Sequence, residues 1–180
     1  MAKVKQPLPA FPEWMRRYVG EGDFILSSGK RSRWFINIKG AMLGPHCSRL
    51  TMHASRAIED LIESDPRHVP GEIAIAGPEL GGALLAMLLR RYFRHAFIVR
   101  PANHETGFRQ RVEGHDWQGP VLLIDDVTTT GATLVEAAGL LEQRGLDVIK
   151  VVAVVDRGGG EAVRAAGYDF TSIWSIPEGL

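Results

Sequence analysis

The stretch Val121-Leu122-Leu123-Ile124-Asp125-Asp126-Val127-Thr128-Thr129-Thr130-Gly131-Ala132-Thr133 constrains the fold more than any other part of the chain. Four aliphatic residues without polar alternation read as a strand covered on both faces, the situation of a parallel sheet between two layers of helices. Leu134, Ala137, Ala138 and Leu141 then recur at helical spacing. The polar segment between is therefore a strand-to-helix turn at the carboxyl end of a strand, where ligands of open α/β sheets collect. Strand patterns over 72–76, 96–99, 121–124 and 148–155 alternate with helical patterns over 45–64, 81–92, 133–144 and 160–166. This alternation predicts an α/β fold, a parallel sheet flanked by helices. Ahead of it, a proline-rich lead ends at Pro12, a short helix is expected over 14–18, and a hairpin over 23–39 turns at Ser28-Gly29-Lys30. Residues 1–44 would form a small N-terminal hood on one domain of 180 residues. The segment 101–120 has little apolar periodicity and is expected to be a mobile loop acting as a lid.

Composition excludes several classes of function. With 21 basic and 21 acidic residues the chain carries no net charge, so nucleic acid is an unlikely partner. The single cysteine, Cys47, rules out an internal disulfide and a cysteine-rich metal cage. Lys3, Lys5, Pro7, Pro9 and Pro12 interrupt any apolar leader, and no apolar run approaches the roughly 20 residues that span a bilayer. A cytoplasmic protein without membrane contact is expected.

The turn itself carries chemistry. N–H groups at a helix start, with the hydroxyls of Thr128, Thr129, Thr130 and Thr133 and the backbone of Val127 and Ala132, make a cup for a phosphate, and Gly131 lets the backbone come close. A plain helix cap needs only one side-chain oxygen. Asp125 and Asp126 repel a phosphate, so they are expected to grip something neutral or cationic, such as ribose hydroxyls or a magnesium ion, from outside the core. A phosphorylated ribose satisfies both halves. The spacing lacks the lysine of a P-loop and the G-x-G-x-x-G of a dinucleotide fold. A second turn, Gly77-Pro78-Glu79-Leu80-Gly81-Gly82, follows the 72–76 strand; it is either a cradle for pyrophosphate or an ordinary glycine turn.

Four stations occur in order: the segment from Phe24 to Lys39, the Gly-Pro-Glu-Leu-Gly-Gly turn, the acidic-threonine motif and Val155-Asp156-Arg157. Together they resemble the orotate phosphoribosyltransferases, most of all their archaeal-type branch. The resemblance implies a type I phosphoribosyltransferase fold. It also implies magnesium-dependent transfer of phosphoribose from phosphoribosyl pyrophosphate to orotate, yielding orotidine 5'-monophosphate and pyrophosphate. The metal would arrive on phosphoribosyl pyrophosphate, with Asp125 or Asp126 touching it at most through water. A homodimer is implied, in which the lid closes over the neighbouring subunit's site. Asp125, Asp126, Arg100 and His104 become the catalytic candidates, Arg100 and His104 also contacting phosphoribosyl pyrophosphate, and Thr129 and Arg157 would touch the base. Read from residue types alone, Arg157 either grips a carboxylate bidentately or pairs with Asp156 at the surface. Ser27, with Ser28, Lys30 and Arg31, either caps the base pocket or forms a solvated turn.

The lid departs from the family. Pro101, His104 and Thr106 stand where two lysines and a histidine are expected, although Arg100 and Gly107 match. His104, with an ordinary pKa of about 6.5, is mostly neutral at pH 7. Arg109 and Arg111 either restore the missing charge or are solvated. Two alternatives to orotate transfer therefore stand: a phosphoribosyltransferase for another base, and a catalytically weak regulator that binds phosphoribosyl pyrophosphate.

Overall fold

The computed structural model of the protein describes residues 11–25, 29, 31–63, 71–100 and 110–176. In chain order the elements are α1 (Glu13–Arg16), β1 (Val19–Ile25), β2 (Arg31–Ile36), α2 (Ile38–Leu43), α3 (Cys47–Glu63), β3 (Ala74–Pro78) and α4 (Gly81–Leu89), the last running into a 3-10 turn. There follow β4 (Ala96–Val99), β5 (Val112–Glu113), β6 (Pro120–Thr128), α5 (Ala132–Gln143), β7 (Asp147–Asp156), α6 (Gly160–Ala165) and β8 (Phe170–Ser175). β1 and β2 form an antiparallel pair. The main sheet has the order β5-β4-β3-β6-β7-β8 and is parallel throughout except for β5, which runs against β4.

Successive side chains of a strand point to opposite faces, and here each face has its own core. Ile75, Leu122, Ile124, Val152 and Val154 join α4's Leu85, Ala86 and Leu89 and α3's Leu50, Ala54 and Ile58. Ala74, Ala76, Val121, Leu123, Val151 and Ala153 join α5's Leu134, Ala137, Ala138 and Leu141. That is why the central strands are aliphatic without alternation. The crossover from β3 through α4 leads to one side of the sheet, and the crossover from β6 through α5 leads to the other. The order thus reverses between β3 and β6, and a crevice opens at their carboxyl ends.

Several boundaries differ from the sequence pattern. The expected helix over 14–18 is one turn, Glu13–Arg16, and the hairpin begins earlier, at Val19. α2 was hidden because Ile38–Leu43 is too short to show a period; its start is fixed by Asn37, whose side chain accepts from Gly40 N–H at 2.8 Å. β8, an edge strand of half-buried mixed residues, carries no apolar run to mark it. The segment 101–120 is not structureless throughout: 101–109 lie outside the described residues, but from Arg111 onward it supplies β5 and packs Trp117 against His95. Among the described residues no helix is long and apolar enough to cross a membrane.

Candidate active site

β6 does not stop where its aliphatic residues stop. It stays paired with β7 through Asp125, Val127 and Thr128, opposite Ala153, Val155 and Asp156. Asp125 and Asp126 are consequently only 7% and 8% exposed, which corrects the expectation that the pair stands outside the core. Continued backbone pairing with β7, beyond the point where pairing with β3 ends at Leu123, draws the carboxylates into the mouth of the sheet. Each then satisfies the chain locally: Asp125 Oδ1 accepts from Asp126 N–H at 2.8 Å, and Asp126 Oδ1 from Val127 N–H at 2.9 Å. Burial, reinforced by the neighbouring Asp126, pushes the Asp125 carboxyl well above the usual carboxylate range. Asp126 Oδ2 meets the ammonium of Lys39 on α2 at 3.0 Å.

The turn after β3 is packed against this motif. A Cβ on Gly81 would lie 2.3 Å from Asp126 Cγ, one on Gly77 2.0 Å from Gly82 O, and one on Gly82 2.5 Å from Ile124 O. Those glycines are demanded by close approach. Pro78 ends β3, Glu79 N–H donates to Val99 O at 2.9 Å across the carboxyl edge, and Leu80 is exposed. The Glu79–Leu80 peptide is cis.

The threonine turn follows the same logic. Gly131 has φ +76°, and a Cβ there would stand 2.5 Å from Gly159 O in the turn after β7. Thr128 is buried, with its Oγ1 where a Cβ on Gly159 would come within 2.3 Å, whereas Thr130, Ala132 and Thr133 are exposed and Val127 and Thr129 are partly exposed. No side chain caps α5; Thr130 Oγ1 accepts from Ala132 N–H at a long 3.4 Å.

Arg157 N–H donates to Thr128 O at 2.8 Å, which fixes the β7 turn beside the threonine turn. The guanidinium reaches β2, donating from Nη2 to Ser32 Oγ at 2.7 Å and from Nη1 to Trp34 O at 3.3 Å. Burial lowers its pKa from the ordinary value. Asp156 instead accepts from Gly158 N–H and Gly160 N–H at 2.9 and 3.1 Å, so the surface pairing of Asp156 with Arg157 is not formed.

Arg100 is tied down within its own chain. Its Nε lies 3.4 Å from Glu79 Oε1, its Nη2 2.9 Å from Glu113 Oε1, and its N–H donates to Arg111 O at 2.7 Å. Arg111 pairs with Glu136 of α5, so it is not a solvated loop charge, and Arg31 pairs with Asp23 at 3.3 Å in solvent. Ser27, Ser28, Lys30, His104 and Arg109 lie outside the described residues. The structure therefore gathers Asp125, Asp126, the Gly77–Gly82 turn, the threonine turn and Arg157 along one edge of the sheet. Sequence reasoning missed Lys39; its signal was a lone charge in the short segment Ile-Lys-Gly-Ala-Met-Leu, beside the fully buried Ile38.

The family described as phosphoribosyl transferase domain matches residues 47–177. The orotate phosphoribosyltransferase of Pyrococcus furiosus is 37% identical over 153 residues, covering 82% of this chain and 80% of that protein. The chain belongs to the orotate phosphoribosyltransferase family. Within this enzyme family, the protein of Rhodopseudomonas palustris strain BisB18 is 34% identical over 171 residues, covering 91% of this chain and 90% of its own. The crystal structure of orotate phosphoribosyltransferase from Aeropyrum pernix superposes with a TM-score of 0.71 at 26% identity, covering 89% of each chain. The type I phosphoribosyltransferase fold is thereby shown: a mostly parallel six-stranded sheet flanked by helices.

Proposed function

We propose that this chain transfers phosphoribose from phosphoribosyl pyrophosphate to orotate, releasing pyrophosphate. The observation that carries the reading is the convergence of the acidic pair, the threonine turn and the Gly77–Gly82 turn on the crevice between β3 and β6. In this reading the exposed N–H groups at the start of α5, with Thr129, Thr130 and Thr133, hold the 5'-phosphate. Asp126 accepts from ribose hydroxyls, and Asp125, whose carboxyl is biased toward the neutral form, is able to donate as well as accept. The Gly77–Gly82 turn receives pyrophosphate, its Glu79 charge offset by Arg100. Arg157, half-buried and always charged at neutral pH, binds the carboxylate of the base.

Breaking the bond to pyrophosphate leaves positive charge on the ribose and negative charge on the leaving group. Orientation of the two ends by separate turns lowers the entropic part of the barrier. Magnesium, carried by the phosphates, supplies charge stabilisation there. In this reading Asp125 and Asp126, at the mouth of the sheet, would meet the hydrated ion. We also propose a homodimer. Leu43 of α2 and Met87 of α4, helices packed on each other, are 78% and 56% exposed, a surface that association would cover. A spectrophotometric assay following loss of orotate in the presence of phosphoribosyl pyrophosphate and magnesium tests the reaction. Turnover of another base but not of orotate would overturn the choice of acceptor, and binding without any turnover would overturn the reaction.

A further inference from the structure

We propose that Lys39 is a positioning residue for phosphoribosyl transfer, holding the carboxylate of Asp126 in the attitude in which it receives ribose hydroxyls. The inference rests on the reaction proposed above and concerns the last residue of the hairpin segment, which carries no assigned role when read from sequence.

Three elements converge on one carboxylate. From β6 itself, Val127 N–H holds Asp126 Oδ1 at 2.9 Å. From α2, Lys39 Nζ holds Oδ2 at 3.0 Å. From α4, Gly81 leaves the space the carboxylate occupies, since any Cβ would stand 2.3 Å from Cγ. Each oxygen so held keeps a further lone pair for a hydroxyl donor.

Anchoring of α2 does not require this contact. Ile38, Ala41 and Met42 are at most 4% exposed and already seat the helix in the core. The Lys39 side chain is 45% exposed and that of Asp126 only 12%, so the pair is asymmetric: an ionised group is drawn inward and met by a cation that stays at the rim. Burying a carboxylate costs stability unless it is paired and hydrogen-bonded, and exposed ion pairs return little. A contact of this kind is better accounted for by what it orients than by what it stabilises. Because α2 is short and packed, Lys39 springs from an element held by the core.

The test separates the ribose end of the substrate from the pyrophosphate end, using ribose 5-phosphate and inorganic pyrophosphate as independent calorimetric probes of the full chain. Lys39→Met is expected to weaken ribose 5-phosphate binding about tenfold, the loss typical of a charge-assisted hydrogen bond, and to leave pyrophosphate binding within about twofold. In turnover, the KM for phosphoribosyl pyrophosphate rises with it, and Lys39→Arg, which keeps the charge and donors, recovers most of the loss. Lys39→Gln retains a neutral donor and takes the place of Lys39→Met if that variant does not fold. A loss confined to pyrophosphate would make Lys39 a direct contact of the leaving group and overturn the proposal. So would a fall in melting temperature with both affinities unchanged. These affinities are read without a base, so failure of orotate as acceptor would leave the outcome distinct.

Discussion

Gly131 and Gly159 close the threonine turn against the turn after β7: a Cβ on Gly131 would stand 2.5 Å from the Gly159 carbonyl oxygen, at a backbone φ of +76°. Read from sequence, Gly131 lets the backbone come close to the anion; the contact with Gly159 gives it a packing role as well. Gly131→Ala is expected to lower stability by at least about 1 kcal/mol, the usual cost of a left-handed alanine, with more from displacement of the Gly159 carbonyl. Urea unfolding measures it. A variant as stable as the parent would show that the two turns separate freely.

Asp125 gives a pH signature. A carboxyl whose folded pKa lies above its unfolded value holds its proton more tightly in the native state. Its contribution is full below the unfolded value of about 3.9 and is lost as pH rises through the folded value. Asp125→Asn removes this dependence. The melting temperature of the variant should therefore gain on that of the parent as pH is raised from about 4 to about 8, while turnover falls. A constant difference between the two melting curves across that range would mean that Asp125 is ionised in the native protein throughout.

The alternation of strand and helix made the parallel sheet legible, because a strand buried on both faces must be aliphatic at every position, as Leu122, Leu123 and Ile124 are. The site turns were legible because glycine and threonine clusters interrupt that alternation. The depth of the site was not. Asp125 and Asp126 look like loop residues in sequence, yet backbone pairing with β7 is indifferent to side chains and carries the strand past them. The contacts of Lys39 and Ser32 were not legible, for a different reason. Their partners, Asp126 and Arg157, stand 87 and 125 positions away, and no local pattern encodes such contacts.

Arg157 ties the β1–β2 hairpin to the turn after β7 and is the residue proposed to bind the base. Its guanidinium donates to Ser32 Oγ and Trp34 O, contacts that would preset the plane offered to the carboxylate in the proposed reading. Lysine keeps the charge but has neither the fork nor the plane. Arg157→Lys is expected to raise the KM for orotate about tenfold or more, with the KM for phosphoribosyl pyrophosphate changed less. Ser32→Ala should move the same constant in the same direction by a smaller factor. Equal effects on both substrates would place Arg157 in general support of the fold instead.

The segment expected to act as a lid poses the question of where cationic charge for the leaving group comes from. Arg100, just before that segment, is divided between Glu79 of the Gly77–Gly82 turn and Glu113 of β5, and Arg111, just after it, is paired with Glu136. Both arginines are thus partly neutralised by the protein's own carboxylates. Pro101 and Thr106 bring no charge, and His104, with an ordinary pKa of about 6.5, brings little at pH 7. If the leaving group is short of positive charge, His104→Lys should raise kcat at pH 7 and above, where lysine stays protonated and histidine does not. The parent should gain on the variant as pH falls toward about 6, because His104 then carries its own proton. Glu113→Gln approaches the same shortage from the other side, releasing Arg100 from Glu113, and should lower the KM for phosphoribosyl pyrophosphate by about two- to threefold, the scale of one partly exposed ion pair. Steady-state kinetics of both variants from about pH 6 to about pH 9, a range straddling the histidine pKa, decides the matter. If neither substitution alters kcat or KM at any pH, charge at the lid does not govern the chemistry, and pyrophosphate must be stabilised chiefly by the metal it carries and by the N–H groups of the Gly77–Gly82 turn.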